Sequence, residues 1–405
     1  MKFLLPKLSF NINSKISLEY IGAFLLIVFC NFWLYQAKPV TPLYYFFFVS
    51  LFIFIISFIR QKSVQITSTQ ITSLFCAFYI FIVSIFHKDT SVNTVLHTGV
   101  TFIFYFLTIY FLKFLNKEQV LNITKWLFSF TFIYTLFESF WRWTHPTMFR
   151  EGVIPTKEIE NSFYMFKTNS FMFQDSNFVS LITLIMTFLA FYILTNIKKG
   201  DNFYKFMFIA FAVLTGFTIS RAAIFAMIVS VIAYYSFDTL KGGLRYIKNI
   251  TILTFRMVIF IPLAIIGTFI FLYGIYLFMS DGSFLTKIEI FTDLLEYLHS
   301  MPLLNKLLGC GSDIGNMLYY FGRATHALIP TYIVWYGIIE LCLILFFWIQ
   351  IAIDTNYKSL LTFIAIFIVG FSLSSSSTHI LYVSLAIITY FENIMPQLER
   401  SIECH

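Results

Sequence analysis

The residues best suited to chemistry stand near the end of one long stretch between two apolar runs, from Ser280 to about Pro330, which includes Gly322-Arg323-Ala324-Thr325-His326. Arg323 and His326 are three apart and share a face if this stretch makes a helical turn. A guanidinium offers a planar fork to phosphate oxygens, and a neutral imidazole can take a proton from a hydroxyl. The plain alternative is a solvated pair in a loop. A third candidate, Arg221, lies in Thr218-Ile219-Ser220-Arg221-Ala222-Ala223 with apolar sequence on both sides. An arginine inside a bilayer costs roughly 2.5–3.5 kcal/mol on insertion scales and usually faces a cavity, a partner or an anion. Otherwise it snorkels at a tight turn.

Secondary candidates for binding a polar substrate are Asp175 and Asn177, Arg142 and Arg150 beside Trp141 and Trp143, and His379 after the Ser374–Ser377 run. Each has a simpler explanation. Asp175 and Asn177 open a helix and could cap it. The tryptophans mark a membrane interface as well as they stack on sugars. His379 could be part of a polar cap on two short helices. Glu340 falls inside an apolar run and is costly there unless paired with an arginine or a serine. No Walker-type Gly-Lys-Ser loop, His-Glu-x-x-His, Asp-x-Asp or tandem Cys-x-x-Cys occurs. Neither ATP-driven transport nor a metal site is indicated, and no cofactor is expected. The five cysteines show no paired spacing.

The elements that must position these residues are membrane helices. Of 405 residues, 59% are hydrophobic and only 12% charged, against roughly 25% charged in soluble domains. The expectation is an all-α polytopic integral membrane protein, one transmembrane domain over 1–405. About twelve runs could cross: 18–37, 43–59, 71–87, 95–114, 121–141, 176–196, 205–220, 222–237, 257–279, 329–352, 359–376 and 378–395. The first is read as a retained helix. With both termini inside, 17 of the 27 Lys and Arg residues fall on the inner side, which agrees with positive-inside sorting. The net charge of +7 therefore implies membrane orientation, with no nucleic-acid partner. Two long outer loops follow, 142–175 and 280–328. In the second, Phe284, Ile288, Phe291, Leu295 and Leu298 recur at helical spacing, as in an amphipathic helix lying along the membrane.

Three segments carry a resemblance. They are Phe217-Thr218-Ile219-Ser220-Arg221-Ala222-Ala223, Leu307-Leu308-Gly309-Cys310-Gly311-Ser312, and Thr325-His326 followed by Trp335-Tyr336-Gly337-Ile338-Ile339. Together they resemble the O-antigen polymerase and O-antigen ligase superfamily of bacterial envelope proteins: its Ser-Arg step, its Leu-Gly-x-Gly turn, and its loop-ending His with a helical Gly-Ile element. The likeness covers roughly residues 170–350. It implies a metal-independent glycosyltransferase in the bacterial inner membrane with its active site facing the periplasm. The donor would be an oligosaccharide on undecaprenyl pyrophosphate and the acceptor a second lipid-linked repeat unit, with membrane lipid and a chain-length regulator protein as partners. Arg221 and Arg323 would hold the leaving diphosphate, and His326 would take the acceptor proton. Many relatives place Asn or Ser after the histidine and ligases often carry an acidic residue soon after, whereas here Ala327 follows and no such acid is present. That tilts the expectation from ligase to polymerase. The remaining alternatives are a ligase acting on lipid A core and a flippase or other secondary transporter, which would usually show two related halves.

Overall fold

The computed structural model describes residues 17–35, 37, 40–61, 65–87, 90–147, 163–167, 169–173, 175–232, 282–322, 327–373 and 378–397. The expected span 257–279 and three candidate residues, Arg150, Arg323 and His326, lie outside the described residues. The described chain is helical, and six of its helices are long and apolar enough to cross a membrane. They are α2 (Pro42–Arg60), α3 (Ser68–Phe86), α4 (Val92–Leu112), α5 (Lys117–Thr144), α6 (Ser176–Tyr192, continued by a π-helical turn to Ile197) and α12 (Leu328–Asp354). Shorter apolar helices occupy other expected runs: α1 (Leu18–Val28), α7 (Asn202–Phe217), α8 (Arg221–Ile232) and α13 (Leu360–Gly370). α14 (His379–Thr389) ends the bundle. The protein is a helical, multi-pass membrane protein.

Local sequence starts these helices where polar side chains can hold the first free N–H groups. Thr67 with Gln70, and Asn116 with Gln119, form capping boxes ahead of α3 and α5. Asp175 and Asp201 cap α6 and α7. α4 and α6 are central and mostly buried, whereas α2 is largely exposed. The outer faces of α2 and α3 carry Phe52, Ile59, Ile85 and Phe86, each at least 63% exposed. So much exposed apolar surface calls for lipid. One end of the bundle is knitted by charge. Lys198 meets Glu118 at 3.1 Å, and Lys358 and Tyr192 both reach Glu392, at 2.8 and 2.6 Å.

The other end carries α9 (Gly282–Ser300), α10 (Leu303–Leu308) and α11 (Ile314–Phe321). The packed face of α9 takes in part of the stripe read in the sequence, Phe291 and Leu298, and extends beyond it. Ile290, Leu294 and Tyr297 are buried against Met317, Phe321 and the start of α12. Ile288 and Leu295 from the expected stripe remain 50% and 69% exposed. The helix has two apolar faces. Periodicity alone cannot say which of them meets protein and which meets water or lipid.

α12 is broken at Gly337, whose φ of 81° and ψ of 176° are accessible essentially only to glycine. The break frees carbonyls, and the turn after α10 takes them. Cys310 N–H donates to Val334 O at 2.7 Å and Gly311 N–H to Trp335 O at 3.2 Å. The Tyr79 hydroxyl lies 3.2 Å from both Tyr336 O and Leu307 O. A side chain on Gly337 would overlap the Leu307 carbonyl, and one on Gly309 would overlap the Trp335 carbonyl. The stretches Leu307–Gly311 and Val334–Gly337 are thus one backbone-to-backbone joint. Gly337→Ala is expected to lower stability by at least about 2 kcal/mol through backbone strain and overlap. Gly216→Ala in α7, where nothing lies within 4 Å, should be neutral or stabilising. Thermal unfolding of the purified variants compares the two, and equal midpoints would contradict the joint.

Candidate functional site

At the end of the bundle where α1 stops and α2, α4, α6 and α14 begin, the helix ends surround a cavity of about 340 Å³. That is within the size range of small-ligand sites. The loop after α1 supplies Asn31, Trp33 and Tyr35; α4 supplies Asn93, Thr94, His97 and Thr98. Phe173 and Phe178 flank the start of α6, while Trp335 and His379 close the far side. Among the described residues, no Lys, Arg, Asp or Glu lines it. The walls are therefore aromatic faces and uncharged hydrogen-bonding groups.

The loop that carries Trp33 is fixed from several sides. Tyr35 N–H donates to Phe171 O at 3.0 Å, Leu34 N–H to Thr41 Oγ1 at 3.0 Å, and the Tyr134 hydroxyl to Trp33 O at 2.6 Å. Asn31 is tied to Thr131 at 3.2 Å. These bonds hold the Trp33 ring 4.9 Å from His97 and parallel to Phe173 at 5.8 Å. His97 and His379 meet edge to face at 4.8 Å, and Tyr44 OH lies 3.3 Å from His97 Nδ1. His379 is 3% exposed, and its Nε2 has no hydrogen-bond partner. The buried indole nitrogen of Trp335 likewise has none. Buried polar atoms are nearly always satisfied. Both atoms stand in the cavity wall, open to a hydrogen-bonding group there.

The candidates from the sequence fall into three groups. His379 lines the cavity. Asp175 and Asn177 stand beside it, between Phe173 and Phe178, and Asp175 Oδ1 accepts the Asn177 N–H at 2.8 Å, as a cap does. Lys287 of α9 lies near this cap; burial pulls its ammonium below the ordinary lysine range, with Asp175 acting in the opposite direction. Arg142 is elsewhere, and its role differs from the expected one. It is fully buried, pairs with Glu138 at 3.1 Å, and donates to Phe166 O and to Phe217 O. Trp143 Nε1 also donates to Phe217 O, at 3.3 Å, and Ser176 Oγ to Thr218 O at 2.8 Å. These donors hold the turn between α7 and α8, where Ile219 takes a positive φ of 57°. Arg142 is thus a scaffold for the Ser220-Arg221 step. Arg221, the first residue of α8, is exposed and does not line the cavity.

The sequence reading missed His97, Asn31 and Trp33. A signal for His97 was present: Asn93, Thr94, His97 and Thr98 form a polar strip at helical spacing at the start of an otherwise apolar span. Among the described residues no three His, Cys, Asp or Glu side chains come together as a metal site. Comparisons with family models, curated proteins and solved structures find no match to this chain.

Scaffold and site should separate on mutation. Arg142→Ala strips Glu138 of a buried partner and is expected to cost about 3–5 kcal/mol. His379→Phe removes an unsatisfied polar atom and should cost no stability. Thermal unfolding measures both, and a large loss in His379→Phe would make that imidazole part of the scaffold.

Proposed function

We propose that this protein is a membrane glycosyltransferase of the O-antigen polymerase kind, joining lipid-linked oligosaccharide units at the face of the membrane where the cavity opens. The observation that carries the reading is the cavity itself. Its aromatic faces suit the C–H faces of sugar rings, and its neutral amide, hydroxyl and imidazole groups suit sugar hydroxyls. The lack of fixed charge among the described wall residues suits the uncharged part of such a substrate. A pyrophosphate would need cations; in this reading they are Arg221, which does not line the cavity, and Arg323.

In this account an acceptor hydroxyl attacks the anomeric carbon of the donor, and its proton passes to His326. The bond from that carbon to the diphosphate oxygen breaks, and the electron pair leaves with the lipid diphosphate. Arg221 and Arg323 stabilise the charge that builds there. His379 Nε2 and Trp335 Nε1 orient a sugar in the cavity. The donor is already activated, so no nucleotide is required. A ligase would share the donor steps and differ in acceptor. One observation favours a second reading as a transporter of lipid-linked sugar: a broken helix beside an intramembrane carboxyl, Glu340, is a pattern of secondary transporters.

A strain lacking the protein is expected to make surface glycans of single repeat units. His326→Ala and Arg221→Ala, at normal protein level, should fail to restore the ladder on a gel, with activity down by about 10²–10⁴-fold for loss of the base. Full-length chains from either variant would remove that residue from the mechanism. Loss of all surface glycan with polymer left on the carrier lipid would indicate the ligase.

A further inference from the structure

The stretch from α9 to α11 belongs to an expected outer loop, yet two of its three helices expose no charged side chain. On α9 the exposed positions include Glu289, Thr292, Glu296 and His299. On α10 and α11 the exposed side chains are Leu303, Leu304, Ile314, Leu318 and Tyr319, each at least 52% exposed. A helix that meets water carries polar residues on that side. Lys306 of α10 is half-buried and turns its ammonium back to His299 O of α9, 3.5 Å away, as a snorkelling lysine does. Met317 and Phe321, on the covered side of α11, pack in one cluster with Ile333 and Val334, in the second turn of α12.

The depth of this segment follows from α3. The 19 residues of that helix span roughly 28 Å, close to the thickness of a hydrocarbon core, about 30 Å. Tyr79 holds Leu307 O, and His87 Nε2 lies 3.3 Å from Leu308 O. The end of α10 therefore lies beside the last two turns of α3, inside the level at which the span stops. Phe75 and Ile82 share the Tyr79 face of α3 and are 62% and 53% exposed, so α10 borders the lipid-facing side of the span. The backbone of the turn is also satisfied as hydrocarbon requires. Besides the two N–H donors of the joint, Gly309 N–H donates to Asn305 O and Asn316 Nδ2 to Cys310 O, both at 2.8 Å. Gly309, Cys310, Gly311 and Ser312 are buried. We propose that α10 and α11 form a re-entrant segment, which enters the bilayer at this end of the bundle and rests Leu303, Leu304, Ile314, Leu318 and Tyr319 on the acyl chains of the surrounding lipid. The occupant is bilayer lipid because the exposed leucines of α10 continue an apolar surface that lipid already covers on α3. The inference rests on the membrane class alone and stands independently of the glycosyltransferase reading.

Spin labels on the full chain in phospholipid vesicles test the proposal. In a Cys342→Ala, Cys404→Ala background, a nitroxide is attached at Leu304→Cys, Leu318→Cys or Glu296→Cys, all exposed positions where a label leaves the packing alone. Its relaxation by dissolved oxygen, which concentrates in hydrocarbon, is compared with its relaxation by a water-soluble nickel chelate. The oxygen-to-nickel ratio should be at least about tenfold higher at Leu304→Cys and Leu318→Cys than at Glu296→Cys, because the polar chelate is excluded from lipid. A ratio at either leucine position equal to that at Glu296→Cys would put the segment in water and overturn the proposal. Protection from both agents would also overturn it, since a second copy or another part of the chain would then cover the face.

Discussion

Lipid offers no hydrogen bonds, so a helix that breaks inside the bilayer must have its freed carbonyls met by protein. This bundle meets that demand at Gly337 with the turn Leu308-Gly309-Cys310-Gly311, through two N–H donors and the Tyr79 hydroxyl. His87 adds a contact of 3.3 Å to Leu308 O. Both backbones can approach only because neither Gly337 nor Gly309 carries a side chain. Much else follows from this joint. It anchors the segment from α9 to α11 to a membrane span, and it fixes where α12 begins, just after Arg323 and His326 in the chain. It sets Trp335 in the cavity wall and leaves Glu340 three residues beyond the break.

Under the proposed reading, the cavity and the cationic residues would divide the work of a lipid-linked sugar transferase. Sugar rings need flat apolar faces and neutral donors and acceptors, which Trp33, Phe173, Asn31 and His379 provide. A diphosphate needs fixed positive charge, which the described cavity lining lacks. Arg221 begins α8 behind a turn held by the buried Arg142, so one arginine spends its charge on Glu138 and backbone carbonyls to set the start of the helix that another begins.

Some of this was legible in the sequence. Long apolar runs gave the helical membrane class, and Asp175 read as a cap because its spacing to the helix start is a local property. Other features depend on tertiary contacts that no local pattern encodes. Arg142 and Arg221 look alike as arginines beside apolar sequence, yet Arg142 is buried because Glu138, one turn earlier, and two loop carbonyls converge on it. Gly309 and Gly337 each read as turn or motif residues, and their mutual contact joins positions far apart in the chain. For α9, hydrophobic spacing gave a helix but not its packed face. His97 was visible as part of a polar strip and went unread because the neighbouring span is so apolar.

The most direct test is reconstitution of the purified protein in vesicles with a polyprenyl-diphosphate-linked oligosaccharide, with analysis of the glycan chains and of the lipid released. The account predicts lipid-linked glycans longer than the input, and one free polyprenyl diphosphate for each bond formed. Input oligosaccharide that crosses the bilayer with no new glycosidic bond and no released diphosphate would contradict it.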